Sequence, residues 1–163
     1  MISGTSTVAN PSSPTSSVTG LSFGNVFQWT ITNGTCPPSS STVTIVRDVP
    51  PTISNAGASQ TICVSNATLN ANTPAVGTGL WIQLAGTGAL SSFTNAVTNV
   101  TGISVGTEIY QWIISNGVCP SSSSTVAIVR DPVPTIANAG ITQTVCTATA
   151  TLAGNTPVVG TGN

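Results

Sequence analysis

Hydrophobic and polar residues alternate along several short stretches of this chain, which is the pattern of strands with one buried face. In "EIYQWII", from Glu108 to Ile114, the large apolar side chains recur at every second position. "STVAIV", from Ser124 to Val129, is compact and β-branched, and "NATLNA", "LWIQLA" and "NVTGISV" are further short runs between Gly, Asn, Ser and Pro. No segment has a 3.6-residue period. The pattern predicts an all-β chain of antiparallel sandwiches.

The chain repeats itself with a period of 83 residues. Positions 28–79 align with 111–162, and 35 of these 52 positions are identical. Before Gln28 the offset becomes 82, because Val18-Thr19-Gly20 matches Val100-Thr101-Gly102. A fixed period marks an array of similar units. This one is too long for a solenoid turn and suits a small β-sandwich, so we predict tandem sandwiches of about 83 residues.

Proline-rich stretches indicate where one sandwich ends and the next begins. "VRDVPPT" and "VRDPVPT" each follow a predicted strand, and proline stiffens a chain and cannot donate to a sheet. We predict semi-rigid linkers whose residues are Arg47, Asp48, Pro50, Pro51, Arg130, Asp131, Pro132 and Pro134. The expected domains are residues 1–48, the later part of a repeat; residues 49–131, a complete repeat; and residues 132–163, the earlier part of the next.

Two explanations account for part-repeats at both ends. Either the chain is a window in a longer tandem array, or copies join head to tail and each completes its neighbour's sandwich by strand addition. Both explanations predict a filament or stalk, in which the partners are adjoining repeats or other copies of the chain.

The motifs also resemble a known class of repeat. "NAGASQTICVSNATLNANTP" and "NAGITQTVCTATATLAGNTP", together with "WIISNGVCPSSSSTVAIV", are similar to the PKD-like and immunoglobulin-like repeats of very large bacterial surface and secreted proteins. These include giant adhesins of gliding bacteria that the type IX route secretes. The resemblance implies an extracellular, cell-surface β-sandwich array used for adhesion, reach or filament formation. The shortage of acidic residues departs from related repeats and argues against calcium binding.

Charge and composition narrow the classes of function. The chain has two Lys+Arg residues, three Asp+Glu residues and no His, so it lacks a basic face for nucleic acid. Without His or Lys, nothing evident activates its many hydroxyls, and we expect no enzyme, no cofactor and no metal site. No apolar run approaches the roughly 20 residues that span a bilayer. So weakly charged a surface favours association.

Four aromatic residues are expected in sandwich cores: Trp29, Trp81, Tyr110 and Trp112. Trp29 and Trp112 occupy equivalent positions, and Trp112 shares a face with Tyr110. Large rings that alternate along a strand usually anchor a core. The alternative is an exposed aromatic platform that binds sugars.

The cysteines form two equivalent pairs of positions, Cys36 with Cys119 and Cys63 with Cys146. There is no C-x-x-C and no His, so zinc is not indicated, and a secreted setting favours disulfides. Pairing of Cys63 with Cys119 would keep the bridge inside one repeat. Alternatively, Cys63 pairs across the junction with the Cys36 equivalent of the following repeat. Both pairings stay open from the sequence.

The sequence thus predicts a structural repeat segment of an extracellular bacterial filament or adhesin stalk. The alternatives are a module that binds carbohydrates or surfaces, with surface glycans as partners, and a spacer in a secreted enzyme.

Overall fold

A computed structural model describes residues 1–163 and contains strands but no helix, so no helix is available to cross a membrane. The all-β prediction is confirmed. The eleven strands are β1 (Thr7–Val8), β2 (Val18–Thr19), β3 (Asn25–Ile31), β4 (Ser39–Ile45), β5 (Gln60–Ile62), β6 (Asn66–Asn70), β7 (Thr78–Ala85), β8 (Ala89–Leu90), β9 (Val97–Thr101), β10 (Gly106–Asn116) and β11 (Cys119–Arg130).

The central segment, residues 49–131, folds into a sandwich of two sheets. One sheet has the order β5-β11-β10-β7 and the other the order β6-β9-β8. All neighbouring strands are antiparallel except β5 and β11, which are parallel. Leu69 and Val100 from the smaller sheet and Trp112 from the larger one belong to a single buried cluster. The two sheets therefore face each other across one hydrophobic core.

The long hairpin β10–β11 forms the two central strands of the larger sheet. Along β10 the buried residues alternate from Glu108 through Tyr110 and Trp112 to Ile114, as the period of two requires. Its two neighbours, β7 and β11, place Trp81 and Ser124 opposite Trp112. Hydrogen bonding on both edges makes β10 a central strand, and the smaller sheet packed on its inward face encloses the side chains there.

The N-terminal segment, residues 1–48, reproduces part of this sandwich. Its β1–β2 pair has the register Val8↔Val18, which matches Leu90↔Val100 in β8–β9. Its β3–β4 hairpin repeats the register of β10–β11, with Trp29 opposite Ser41. The segment therefore contains the counterparts of β8 to β11, keeps only the end of β7 at residues 1–3, and lacks counterparts of β5 and β6.

The C-terminal segment, residues 132–163, contains no strand but keeps local hydrogen bonds of the central segment. Thr135 Oγ1 accepts from the N–H groups of residues 158 and 159, as Thr52 Oγ1 does from residues 75 and 76. Gln143 Nε2 donates to Thr151 O, as Gln60 Nε2 does to Thr68 O. These residues adopt the local conformation of the first part of a repeat without a sheet to join.

Strand limits differ from the sequence pattern at two places. The run "NVTGISV" forms a strand only as far as Thr101, and Ile103 beyond it is buried in the core outside any strand. The final hairpin is longer than predicted, since β10 and β11 extend to residues 116 and 130. Alternation marks the inward positions of a strand but does not mark where its ladder stops.

Candidate assembly interface

The predicted core aromatics divide into three that are buried and one that is not. Trp81, Tyr110 and Trp112 are enclosed in the central sandwich, where the two tryptophan rings lie 5.0 Å apart at 44°. Trp29 differs from the expectation, because it is 40% exposed although its counterpart Trp112 is 0% exposed. The strands that cover Trp112 have no counterpart over Trp29.

This missing cover leaves a cavity of ≈ 410 Å³ between the two hairpins of the N-terminal segment. Phe27, Trp29, Val43 and Ile45 line it from the β3–β4 hairpin. Their counterparts Tyr110, Trp112, Val126 and Ile128 are all buried in the central core. The cavity is thus the unfilled core of a partial sandwich.

The C-terminal segment has apolar side chains without a sheet to pack against, whereas the N-terminal segment has a sheet without the side chains that would fill its cavity. Leu152 is 88% exposed, whereas its counterpart Leu69 is 0% exposed and packs in the central core. Val145 is 50% exposed, whereas its counterpart Ile62 is half-buried and packs against that core. The segment offers apolar side chains of the kind that fill a sandwich core, and in this chain nothing covers them.

The two terminal segments are complementary in content except in the middle of β7, where Trp81 and Ile82 have no counterpart in either segment. The C-terminal segment contains the counterparts of β5 and β6 at residues 143–145 and 149–153, and the N-terminal segment contains those of β8 to β11. In the central sandwich β6 pairs with β9, and β5 pairs with β11. The same pairings would join residues 149–153 to β2 and residues 143–145 to β4.

A second contact zone lies where the linker meets the central sandwich. The turn at residues 116–119, which we call the hairpin turn, joins β10 to β11. Val118 N donates to Asp48 Oδ2 at 2.8 Å, and Asn116 Nδ2 donates to Val49 O at 2.8 Å. Gly117 has φ of +51°, and a Cβ there would fall on the Asp48 carboxylate. Only glycine fits this close approach.

The remaining linker residues make contacts that recur in both repeats. Arg130 Nη1 donates to Ile103 O at 2.6 Å, and Arg47 Nη1 donates to Leu21 O at 3.4 Å, at the matching position. Arg130 therefore meets the loop after β9 rather than its neighbour Asp131. The linker prolines are exposed or half-buried: Pro50, Pro51, Pro132 and Pro134.

The cysteines are all unpaired and lie on the surface. Cys36, Cys63 and Cys146 are exposed, and Cys119 is half-buried. In the sheet Ile62 lies beside Arg130, and Cys119 lies eleven residues before Arg130 on the same strand. Cys63 and Cys119 are thus about 36 Å apart at the rise of an extended strand. A disulfide needs Cα atoms within about 7 Å, so the within-repeat pairing is incompatible with this sandwich.

A buried carboxylate lies inside the central sandwich. Glu108 is 1% exposed and accepts hydrogen bonds from the N–H groups of Thr87, Gly88 and Ser104 and from the Tyr110 hydroxyl. Burial raises the pKa of Glu108, but these hydrogen bonds, led by that of Tyr110, hold the pKa below its usual 4.5. Burial and the adjacent carboxylate raise the pKa of Tyr110 above its usual 10.

The position of Glu108 has a structural role in both repeats. Its counterparts in the N-terminal segment are Asn25 and Phe27, and Asn25 is also fully buried and hydrogen-bonded to Ser22. The position thus accepts a neutral amide in one repeat and a carboxylate in the other. No three His, Cys, Asp or Glu side chains come together as a group that could hold a metal ion.

Acidification is expected to destabilise the central sandwich through Glu108. A carboxyl whose pKa is lowered on folding stabilises the fold above its unfolded pKa, and this stabilisation is lost as the pH falls through the folded pKa. The free energy of unfolding should therefore fall below about pH 4.5. Urea titrations from pH 6 to pH 2 would measure it. If the free energy of unfolding of a Glu108→Gln variant fell with pH as steeply as that of the unaltered chain, Glu108 would not be the cause of the acid destabilisation.

Two residues with specific contacts in the structure, Gly117 at the linker and Glu108 in the core, could not be identified from the sequence pattern. Gly117 lies in "SNGV", which is typical of any tight turn, and the contact with Asp48 joins residues 70 apart. Glu108 stands out only as the one glutamate in the chain. The sequence shows that residues 1–48 match only the later part of a repeat, but it does not by itself show that Trp29 is exposed where Trp112 is buried.

The chain is similar to a solved structure but matches no family model and no curated protein. Among solved structures it is similar to one described as the solution structure of the PKD domain from KIAA 1837 protein. That match has 22% identity and a TM-score of 0.44, and covers 48% of this chain and 85% of that chain.

Proposed function

We propose that the chain is a non-catalytic structural segment of an extracellular bacterial filament or adhesin stalk, built from β-sandwich modules joined end to end. The terminal segments are completed by neighbouring modules of the same sequence. In a longer chain, adjoining repeats supply these modules; in a solution of this chain alone, a further copy supplies them, so that residues 132–163 of one copy fill the cavity of the next. The expected cell-surface location follows the resemblance of the repeat motifs to surface-protein repeats.

The observation that supports this proposal most strongly is that residues buried in the central sandwich have exposed counterparts in both terminal segments. Leu152 is 88% exposed and Leu69 is 0% exposed, while Trp29 is 40% exposed and Trp112 is 0% exposed. Burying an apolar side chain of this size stabilises a structure by about 1.5–3 kcal/mol. Joining the two terminal segments would bury Leu152 and Trp29 at the positions where their counterparts are buried in the central sandwich.

The sugar-binding alternative receives less support. It requires an exposed aromatic platform, and Trp81 is 1% exposed with its Nε1 donating to Asn95 O. Trp29 is partly exposed, but it lines the cavity whose counterpart in the central segment is filled by core residues. The exposure of Trp29 is therefore explained by the absent strands.

End-to-end assembly can be tested with one pair of variants. Leu152→Asp puts a charge on the side chain that should enter the cavity, while Thr151→Asp puts the same charge on the adjacent residue, whose counterpart Thr68 is exposed. In reducing buffer, sedimentation velocity of the unaltered chain should show concentration-dependent oligomers. These should persist in Thr151→Asp and disappear in Leu152→Asp, because burying an unpaired charge is strongly unfavourable.

Both variants alter residues that are exposed in the single chain, so neither should unfold it. Circular dichroism of the two variants should be the same as that of the unaltered chain. Monomers of the unaltered chain at all concentrations up to the millimolar range, or oligomers that Leu152→Asp leaves intact, would contradict the proposal. Electron microscopy of the oligomers should show linear particles rather than closed globules.

A further inference from the structure

The two kinds of cysteine lie at opposite ends of each sandwich. Cys63 directly follows β5, at the end where β11 leaves for the next linker. Cys119 begins β11 at the hairpin turn, beside the linker that arrives from the preceding segment. When modules follow one another end to end, the Cys63 end of one module therefore faces the hairpin turn of the next.

Two equivalent aspartates contact the two ends of the central module, one aspartate at each end. At the first linker, the side chain of Asp48 accepts from Val118 N, one residue from Cys119. At the second linker, the main-chain N of Asp131, the counterpart of Asp48, donates to Ile62 O at 2.9 Å, one residue from Cys63. At a junction between two complete modules, one aspartate could make both contacts and would then lie between a Cys63-type residue and the hairpin cysteine of the following module.

We propose that disulfides cross each junction and join a first-strand cysteine (Cys63 or Cys146) to a hairpin cysteine (Cys36 or Cys119) of the next module. The inference rests on the end-to-end assembly proposed above. When residues 132–163 of one copy complete residues 1–48 of a second, Cys63 of the first copy faces Cys36 of the second. Cys146 of the first copy then faces Cys119 of the second.

The chemistry requires an oxidant, for which a small-molecule disulfide suffices. Two cysteine thiols lose two protons and two electrons and form one S–S bond, while oxidised glutathione gains both and yields two molecules of reduced glutathione. The reacting thiols are accessible, because three of the cysteines are exposed and Cys119 is half-buried. Docking of the two modules raises the effective concentration of the facing thiols and so selects this pair.

Double Cys→Ser variants with two remaining thiols give a matched test. C36S/C63S keeps Cys146 and Cys119, a facing pair, whereas C63S/C119S keeps Cys36 and Cys146, which face no partner. Each assembled variant is incubated with oxidised glutathione and run on a non-reducing gel. We expect a ladder of covalent multimers from the unaltered chain and from C36S/C63S, and loss of the ladder in C63S/C119S.

Peptide mass spectrometry of the unaltered ladder should find the linkages Cys63–Cys36 and Cys146–Cys119. Ladders of equal strength from both double variants would mean random cross-linking and would overturn the inference. A Cys63–Cys119 linkage within one chain would overturn it as well. Oligomers that form in reducing buffer but stay free of disulfides with oxidant would reject the junction bridge alone. Absence of oligomers in both buffers would reject the proposed assembly and the bridge together.

Discussion

Replacing Glu108 with alanine is expected to destabilise the central sandwich by about 3–5 kcal/mol. The carboxylate accepts N–H groups from Thr87, Gly88 and Ser104 as well as the Tyr110 hydroxyl. Truncation leaves these donors buried without partners, and each unsatisfied group costs about 1–3 kcal/mol. The small side chain of alanine also leaves a cavity next to Gly88, where the present packing has no room even for a Cβ.

Urea denaturation followed by tryptophan fluorescence would measure this loss, since Trp81 and Trp112 report on the same core. The matched control is Thr107→Ala on the same strand, because Thr107 is exposed and should change the free energy of unfolding by less than about 0.5 kcal/mol. If Glu108→Ala proved as mild as Thr107→Ala, the buried cluster would have no part in holding the two sheets together.

Trp112→Ala is expected to cost about 3–5 kcal/mol, whereas Trp29→Ala should cost no more than about 1 kcal/mol in the single chain. The two residues occupy equivalent positions in strands of the same register. Trp112 is 0% exposed, and its Nε1 donates to Asn72 O at 3.1 Å. Trp29 is 40% exposed and faces an unfilled cavity, so its removal deletes far fewer contacts.

Thermal denaturation at low protein concentration would compare the two variants directly. At high concentration the two variants should differ in a second way if the chain assembles as proposed, because residues 132–163 of another copy would then cover Trp29. Trp29→Ala should then weaken self-association while it leaves the melting of the dilute chain nearly unaltered. Equal destabilisation by the two substitutions at low concentration would show that the single chain already covers Trp29.

The sequence predicted the central hairpin well because local and global signals agree there. Tyr110, Trp112 and Ile114 alternate, and the strand that carries them is buried on one face along most of its length. The same residue types in the N-terminal segment gave the same strand but the wrong burial for Trp29. Alternation shows which side chains share a face, but burial depends on distant strands that the N-terminal segment lacks.

Contacts between the linker and the sandwich could not be predicted, for a related reason. Asp48 was identified as a linker residue, yet its partner Val118 lies 70 residues away and has no side-chain chemistry that marks it. A backbone N–H is present at nearly every residue, so a contact of this kind leaves no trace in composition. The sequence left the within-repeat pairing of Cys63 with Cys119 open, and only the register of β5 against β11 excludes it.

The parallel pairing of β5 with β11 determines how a module would respond to tension. The chain enters the module beside the hairpin turn, where Asp48 and Val49 are hydrogen-bonded, and leaves it after Arg130 at the opposite end. Between these points β5 and β11 are hydrogen-bonded neighbours over Gln60–Ile62 and Ile128–Arg130. A pull on the two linkers would slide the strands along each other and load their hydrogen bonds together in shear, rather than unzip them one after another. Mechanical resistance would then reside in this short ladder, so stretching with optical tweezers should find its rupture to be the first event.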